Sequence, residues 1–147
     1  MMRKNIVLFL CLWIAAISSS AQERKSVPSS KGFANDYANV LSPQELKDLN
    51  SILTAYEDST SNEIAVVIES NLNGRSEFDR SMDFARQWKL GKEGKNNGVL
   101  IYCAINDRKI FILPADRTQG VMTDAISKLI IERSITPEFK RRTIIKV

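Results

Sequence analysis

The stretch K-N-N-G-V-L-I-Y-C-A-I-N-D-R-K-I-F-I-L-P, from Lys95 to Pro114, decides the fold. Asn97-Gly98 is a turn signal, and the run from Val99 to Ile105 that follows it is apolar throughout. Because the side chains on both faces of such a strand are apolar, the run predicts a strand covered on both sides inside a sheet. Asn106-Asp107 predicts a tight turn, and the residues from Lys109 to Leu113 predict a second strand folded back beside the first.

Helices are predicted on either side of this hairpin from apolar residues at helical spacing. Ser42-Pro43-Gln44-Glu45 is a complete helix start with a capping box, and Ser76 and Thr123 are predicted caps for two later helices. The side chains predicted to face the core are Leu46, Leu49, Leu53 and Tyr56 in the first helix, Phe78, Met82, Phe84, Ala85 and Trp88 in the second, and Ile126, Leu129 and Ile130 in the third.

A second apolar run, Ile64 to Ile68, predicts another buried strand upstream of the second helix. Strand, helix and strand at this spacing form a βαβ unit with two parallel strands. The residues from Gly32 to Leu41 mix apolar and turn-forming types and are interpreted as an ordered loop. The predicted fold is α/β, a single-domain α/β/α sandwich whose small mixed sheet contains the βαβ unit and the hairpin.

The amino terminus has the pattern of a secretory signal peptide, predicted over residues 1–21 with cleavage after Ala21. Arg3 and Lys4 precede an apolar run that is short for a membrane span, although an uncleaved anchor is the alternative. We therefore expect export to the periplasm or the exterior, with no transmembrane span after cleavage. Residues 22–31 are predicted to be a flexible lead-in, 32–139 the domain, and 140–147 a basic tail or a truncated last helix.

Composition excludes several kinds of chemistry. The chain has no histidine, which excludes serine–histidine and cysteine–histidine nucleophilic pairs and histidine zinc ligands. A metal would need oxygen ligands, which favours calcium or magnesium. The formal net charge of +4 falls by two when Arg3 and Lys4 are removed, so nucleic acid is not an expected partner. After cleavage Cys103 is the remaining cysteine and is predicted to be a core residue of a monomer.

Several sequence blocks together resemble the TPM domain family, and they span roughly Gly32 to Phe139. The blocks are Asn35-Asp36-Tyr37-Ala38-Asn39-Val40-Leu41-Ser42, Asn62-Glu63-Ile64-Ala65-Val66-Val67, Trp88-Lys89-Leu90-Gly91, Asn97-Gly98-Val99-Leu100-Ile101, Asn106-Asp107-Arg108-Lys109 and Gly120-Val121-Met122-Thr123-Asp124-Ala125. The resemblance implies an extracytoplasmic α/β/α domain. Plant members are linked to acid phosphatase activity and photosystem II maintenance, and some bacterial members bind calcium.

The chain departs from the family pattern at two positions where a carboxylate is usual. Gln119 stands where members have a glutamate, and Asn96 stands where an acidic residue commonly precedes Asn-Gly. Each change removes a carboxylate that could hold a cation or act as a general acid or base. The resemblance therefore implies at most weak phosphatase-like activity.

The candidate metal ligands are Asp36, Asn97, Asp116 and Asp124, all oxygen donors near predicted strand ends or helix starts. Three of them have a structural interpretation as well: Asp36 can fix its own loop, Asn97 can form the turn, and Asp124 can interact favourably with the helix dipole. One hypothesis is a divalent-cation module, with Ca²⁺ as the possible cofactor. The alternative is a non-catalytic module that binds an envelope protein.

A third hypothesis is an electrostatic membrane tether through the basic chain end. Its charges are Lys140, Arg141, Arg142 and Lys146. Basic chain ends are usually just solvated, so this hypothesis is weaker than the other two.

Overall fold

A computed structural model describes residues 26–91 and 96–141. The predicted signal peptide, the first residues of the lead-in, and residues 142–147 of the predicted tail lie outside these ranges. The elements are β1 (Ala34–Asp36), α1 (Pro43–Thr60), β2 (Glu63–Glu69), α2 (Glu77–Trp88), β3 (Gly98–Ala104), β4 (Lys109–Pro114), α3 (Asp116–Gln119), α4 (Asp124–Ile130), a π-helical segment (Ile131–Ile135) and α5 (Thr136–Arg141).

The four strands form one mixed sheet in the order β1-β2-β3-β4. β1, β2 and β3 are parallel, and β4 returns antiparallel to β3 with Leu100 opposite Leu113. The parallel β2–α2–β3 unit and the β3–β4 hairpin confirm the predicted α/β fold with a mixed sheet. The three parallel strands share one carboxyl edge, where Asp36 and Glu69 end their strands, and one amino edge, where β4 ends.

β1 corrects the prediction that residues 32–41 form only a loop. Its three residues pair in parallel with β2, with Ala34 opposite Val66. Asn50 of α1 holds the outer edge of β1, since its side-chain oxygen accepts from the Ala34 amide at 2.9 Å and its nitrogen donates to the Ala34 carbonyl at 3.1 Å. A short strand of polar composition is therefore stabilised by tertiary pairing, which sequence pattern does not show.

One face of the sheet is closed by α2. Ala65, Val67, Leu100 and Tyr102 on this face pack with Phe84 of the helix, and all are buried. The lead-in lies along the same helix: Trp88 donates to the Pro28 carbonyl at 2.9 Å and Gln87 donates to the Val27 carbonyl at 2.9 Å. Val27 and Pro28 are thus hydrogen-bonded to α2, while the flexibility of the lead-in 22–31 stays a prediction.

The predicted helix starts are confirmed, but four predicted core positions are wrong. Ser42 and Glu45 form the capping box, and Ser76 and Thr123 cap their helices. The exposed residues are Tyr56 (40%), Phe78 (49%), Ile126 (42%) and Leu129 (47%). Phe78 lies edge-to-face on Phe111 at the sheet border, with ring centroids 5.9 Å apart. Tyr56 and Ile126 border a part of the other face that the helices do not close.

The helical run from Asp124 to Arg141 changes its winding at the π-helical segment Ile131–Ile135. Pro137 gives the physical reason, because it has no amide hydrogen and its ring displaces the carbonyl four residues earlier.

Among the helices of the described ranges, none is long and apolar enough to cross a membrane.

Candidate functional site

The second face of the sheet carries an open apolar groove of about 920 Å³. Its floor is formed by Ile64, Val99, Ile101 and Ile112, which are neighbours across β2, β3 and β4. Val99 and Ile112 are buried, but Ile64 and Ile101 are only half-buried although they lie on interior strands. The helices therefore leave part of this face uncovered.

Two helical walls flank the groove. Tyr56 and Thr60 at the end of α1 form one wall, and Ile126 and Ile130 of α4, preceded by Met122, form the other. The exposure of Ile126 shows that α4 presents Ile126 and Ile130 to the groove without closing onto the sheet. Helical periodicity predicted the stripe correctly, but it carries no information about the distance between the helix and the sheet.

One end of the groove is polar and lies at the amino edge of the sheet. Asn97 is buried there and donates through its side-chain nitrogen to the Ser61 carbonyl and to Asn62 Oδ1. The Arg117 amide donates to the Asn96 carbonyl at 3.2 Å, which anchors α3 beside this end. Within the described ranges, the Arg117 guanidinium forms no hydrogen bond or ion pair, and it is the one basic side chain among the groove-lining residues.

A buried ionic network lies under the opposite face of the sheet. Arg80 donates from Nε and Nη2 to the two carboxylate oxygens of Glu69, each at 2.8 Å, and Tyr102 donates to Glu69 Oε2 at 2.9 Å. Arg80 also lies 4.6 Å above the ring centroid of Phe84. Burial, followed by the charge of Glu69, raises the pKa of Tyr102 well above its ordinary value. This network fills the core and offers no open face to a substrate.

Asp36 ends β1 at the carboxyl edge, where its carboxylate holds the following loop. It accepts hydrogen bonds from the backbone amides of Ala38 (3.0 Å), Val40 (2.8 Å) and Leu41 (2.8 Å). Both carboxylate oxygens take part. The structural interpretation of this residue, a carboxylate that fixes its own loop, is therefore confirmed.

Asn97 and Asp116 lie at the amino edge instead. Asn97 immediately precedes β3, and Asp116 begins α3 just after the end of β4. The strand registers place Asp36 beside Ile68 and Cys103, so a rise of about 3.3 Å per residue puts its backbone roughly 20 Å from that of Asn97. Calcium ligands lie about 2.3–2.6 Å from the ion, so Asp36 and Asn97 cannot share one.

Asp124 occupies the first turn of α4, between the groove-lining residues Met122 and Ile126. In the described part of the chain, no three acidic or cysteine side chains come close enough together to hold a metal ion. The four candidate ligands, taken as one set, do not fit a single calcium site. Calcium binding by some of them separately stays a prediction.

Cys103 is a buried residue of β3, as the sequence predicted. Burial raises the pKa of its thiol to about 12, so the thiolate that would act as a nucleophile is scarce at neutral pH. The thiol therefore serves packing.

Sequence reasoning missed Arg80 and Arg117 for different reasons. Arg80 shares the inward face of α2 with Phe84 and Trp88, and a charge within an apolar stripe was a signal for a buried partner. Arg117 lies in the short helix α3, and no local pattern shows that this helix folds beside an apolar groove. Only the tertiary arrangement brings Arg117 and the apolar groove together.

The TPM domain family model matches residues 34–144. No curated protein matches the chain. The N-terminal domain of a protein from P. gingivalis, solved by NMR, is 26% identical with a TM-score of 0.68, over 78% of this chain and 73% of that one.

A second solved structure supports the fold alone. The N-terminal domain of the cg2496 protein from Corynebacterium glutamicum is 14% identical with a TM-score of 0.59, over 82% of this chain and 78% of that one. Because the family model matches residues 34–144, which is most of the sequence, the chain belongs to the TPM domain family.

Proposed function

We propose that this chain is a non-catalytic binding module, exported to the periplasm or the cell exterior, that holds an apolar ligand group in the groove. The observation that carries the proposal is the half-buried floor at Ile64 and Ile101, open between Tyr56 and Ile126. A volume of about 920 Å³ lies within the range of roughly 300–1,000 Å³ that is usual for ligand pockets. The proposal of export rests on the signal-peptide pattern of residues 1–21.

Divalent-cation binding and phosphate-ester hydrolysis have weaker support. Asp36 uses both carboxylate oxygens for its own loop, and Asn97 lies at the other edge of the sheet. Gln119 and Asn96 replace carboxylates that are usual in the family. A binding function needs none of these groups, and an envelope protein that inserts an apolar side chain is compatible with the same groove.

The test is the binding of N-phenyl-1-naphthylamine, an uncharged dye whose fluorescence rises in apolar surroundings. We expect saturable binding by the full chain with one site. Ile126→Glu, which places a charge on the groove wall, should abolish it. Leu129→Glu is the matched control, because Leu129 is similarly exposed on the same helix but does not line the groove. Equal loss in both variants, or no saturable binding by the wild type, would refute the proposal.

A further inference from the structure

The groove is apolar along its floor and polar at one end. Its floor, at Ile64, Ile101 and Ile112, is apolar, whereas Asn62, Asn97 and Arg117 lie at the amino-edge end. The side-chain nitrogen of Asn97 is committed to Ser61 and Asn62. Arg117 is different, because its backbone is anchored to Asn96 while its guanidinium has no hydrogen-bond or ion-pair partner among the described residues.

Glu63 is the one carboxylate among the described residues that line this groove, and it forms no ion pair with Arg117. Glu63 lies at alternate positions of β2 with Ala65 and Val67, whose side chains face α2. Its Oε2 accepts a hydrogen bond from the Gly91 amide at 3.1 Å. A ligand that fits this groove therefore combines an apolar body with an anionic end. A guanidinium binds a carboxylate through two parallel hydrogen bonds, which fixes the orientation of the ligand.

We propose that the groove binds a long-chain carboxylate, with the hydrocarbon chain over Ile64 and Ile101 and the carboxylate on Arg117. This inference rests on the proposed binding function and specifies its ligand class. One guanidinium matches the single charge of a carboxylate, whereas a phosphate monoester carries about −1.5 to −2 at neutral pH and needs further donors. The groove volume is that of a small-ligand site, while a stable protein interface buries about 800 Å² on each partner.

The experiment measures displacement of N-phenyl-1-naphthylamine from the full chain by palmitate, hexadecan-1-ol and hexadecyl phosphate. Palmitate should bind at least about tenfold more tightly than the uncharged alcohol of equal chain length, the size of one charge-assisted contact. Arg117→Ala should remove this preference while dye binding persists, and Arg117→Lys should restore part of it. Lys128→Ala, on an exposed residue outside the groove, is the matched control and should keep the preference.

The outcomes separate the two proposals. If the dye binds but palmitate and hexadecan-1-ol compete equally, or hexadecyl phosphate binds more tightly than palmitate, the ligand class is refuted and the groove function stands. If the dye does not bind at all, both are refuted. One other occupant would overturn the ligand class: a second copy of the chain, shown by a dimer that Ile126→Glu prevents and palmitate does not dissociate.

Discussion

Arg80 binds both carboxylate oxygens of Glu69 inside the protein, and each side chain is about 1% exposed. The pair joins α2 to the end of β2 beneath the sheet. Tyr102 on β3 adds a hydrogen bond to the same carboxylate at 2.9 Å. Three elements of the βαβ unit are therefore tied at one point, and removing Arg80 or Glu69 leaves the other charge buried without its ion-pair partner.

Arg80→Met should lower the free energy of unfolding by about 3–5 kcal/mol, because the Glu69 carboxylate would stay buried and uncompensated. Urea denaturation followed by circular dichroism measures the loss. The double variant Arg80→Met with Glu69→Leu should recover part of it, since neither charge then remains. Arg86→Met on the exposed side of the same helix is the control and should stay within about 0.5 kcal/mol of wild type. A similar small effect for Arg80→Met would contradict this account.

Alkaline pH should destabilise the fold through Tyr102. Burial and the charge of Glu69 raise the pKa of this phenol in the folded state above its ordinary value of 10.0. Below pH 10 both states keep the proton and stability is unaffected. Above pH 10 the unfolded chain loses the proton first, so the free energy of unfolding should fall by up to about 1.4 kcal/mol per pH unit.

Urea midpoints measured between pH 8 and pH 11 test this sign. Lysines also titrate in this range, so the informative quantity is the difference in slope between the wild type and Tyr102→Phe. The variant should show the shallower slope. Tyr56→Phe changes an exposed tyrosine and should follow the wild type. Parallel slopes in wild type and Tyr102→Phe would show that the phenol is not linked to folding.

The hairpin could be predicted from sequence because its signal is local. Val99 to Ile105 is apolar without interruption, which is typical of an interior strand. Coverage on both faces was predicted from this run, but only the face with Leu100 and Tyr102 is closed, whereas Ile101 on the other face is half-buried. β1 could not be predicted, since Asn35 and Asp36 are polar. The strand is held by its pairing with β2 and by the two hydrogen bonds between the Asn50 side chain and the Ala34 backbone. Local pattern determines which elements form, but not which edge receives a further strand.

The candidate site was less predictable than the fold. The periodicity of Ile126, Leu129 and Ile130 shows an apolar stripe in a helix, and burial was the ordinary expectation. The groove arises because that helix does not close on Ile101, which depends on how α3 and Thr123 direct the chain after β4. Likewise, the sequence position of Asp36 near a strand end indicated a metal ligand. The three backbone amides that donate to its carboxylate are seen only in the structure.

Asp36→Ala should lower the free energy of unfolding by about 2–3 kcal/mol. The reason is that three backbone amides, those of Ala38, Val40 and Leu41, lose a charged acceptor in a half-buried loop. Asp36→Asn keeps one acceptor oxygen and should lose less. Asp58→Ala, at an exposed position of α1, is the control and should change stability by about 0.5 kcal/mol or less. Equal effects of Asp36→Ala and Asp58→Ala would contradict the loop-fixing role.

Calcium should leave the melting temperature of the full chain unchanged relative to a chelator, because Asp36 is committed to its loop and lies roughly 20 Å from Asn97. The measurement is sensitive, since a ligand at 100 times its dissociation constant stabilises by about 2.7 kcal/mol. Magnesium at the same concentration controls for ionic strength. A calcium-specific rise that Asp36→Asn removes would place an ion at the carboxyl edge. A rise that Asp124→Ala removes and Asp36→Asn keeps would place it instead at the start of α4, beside the groove.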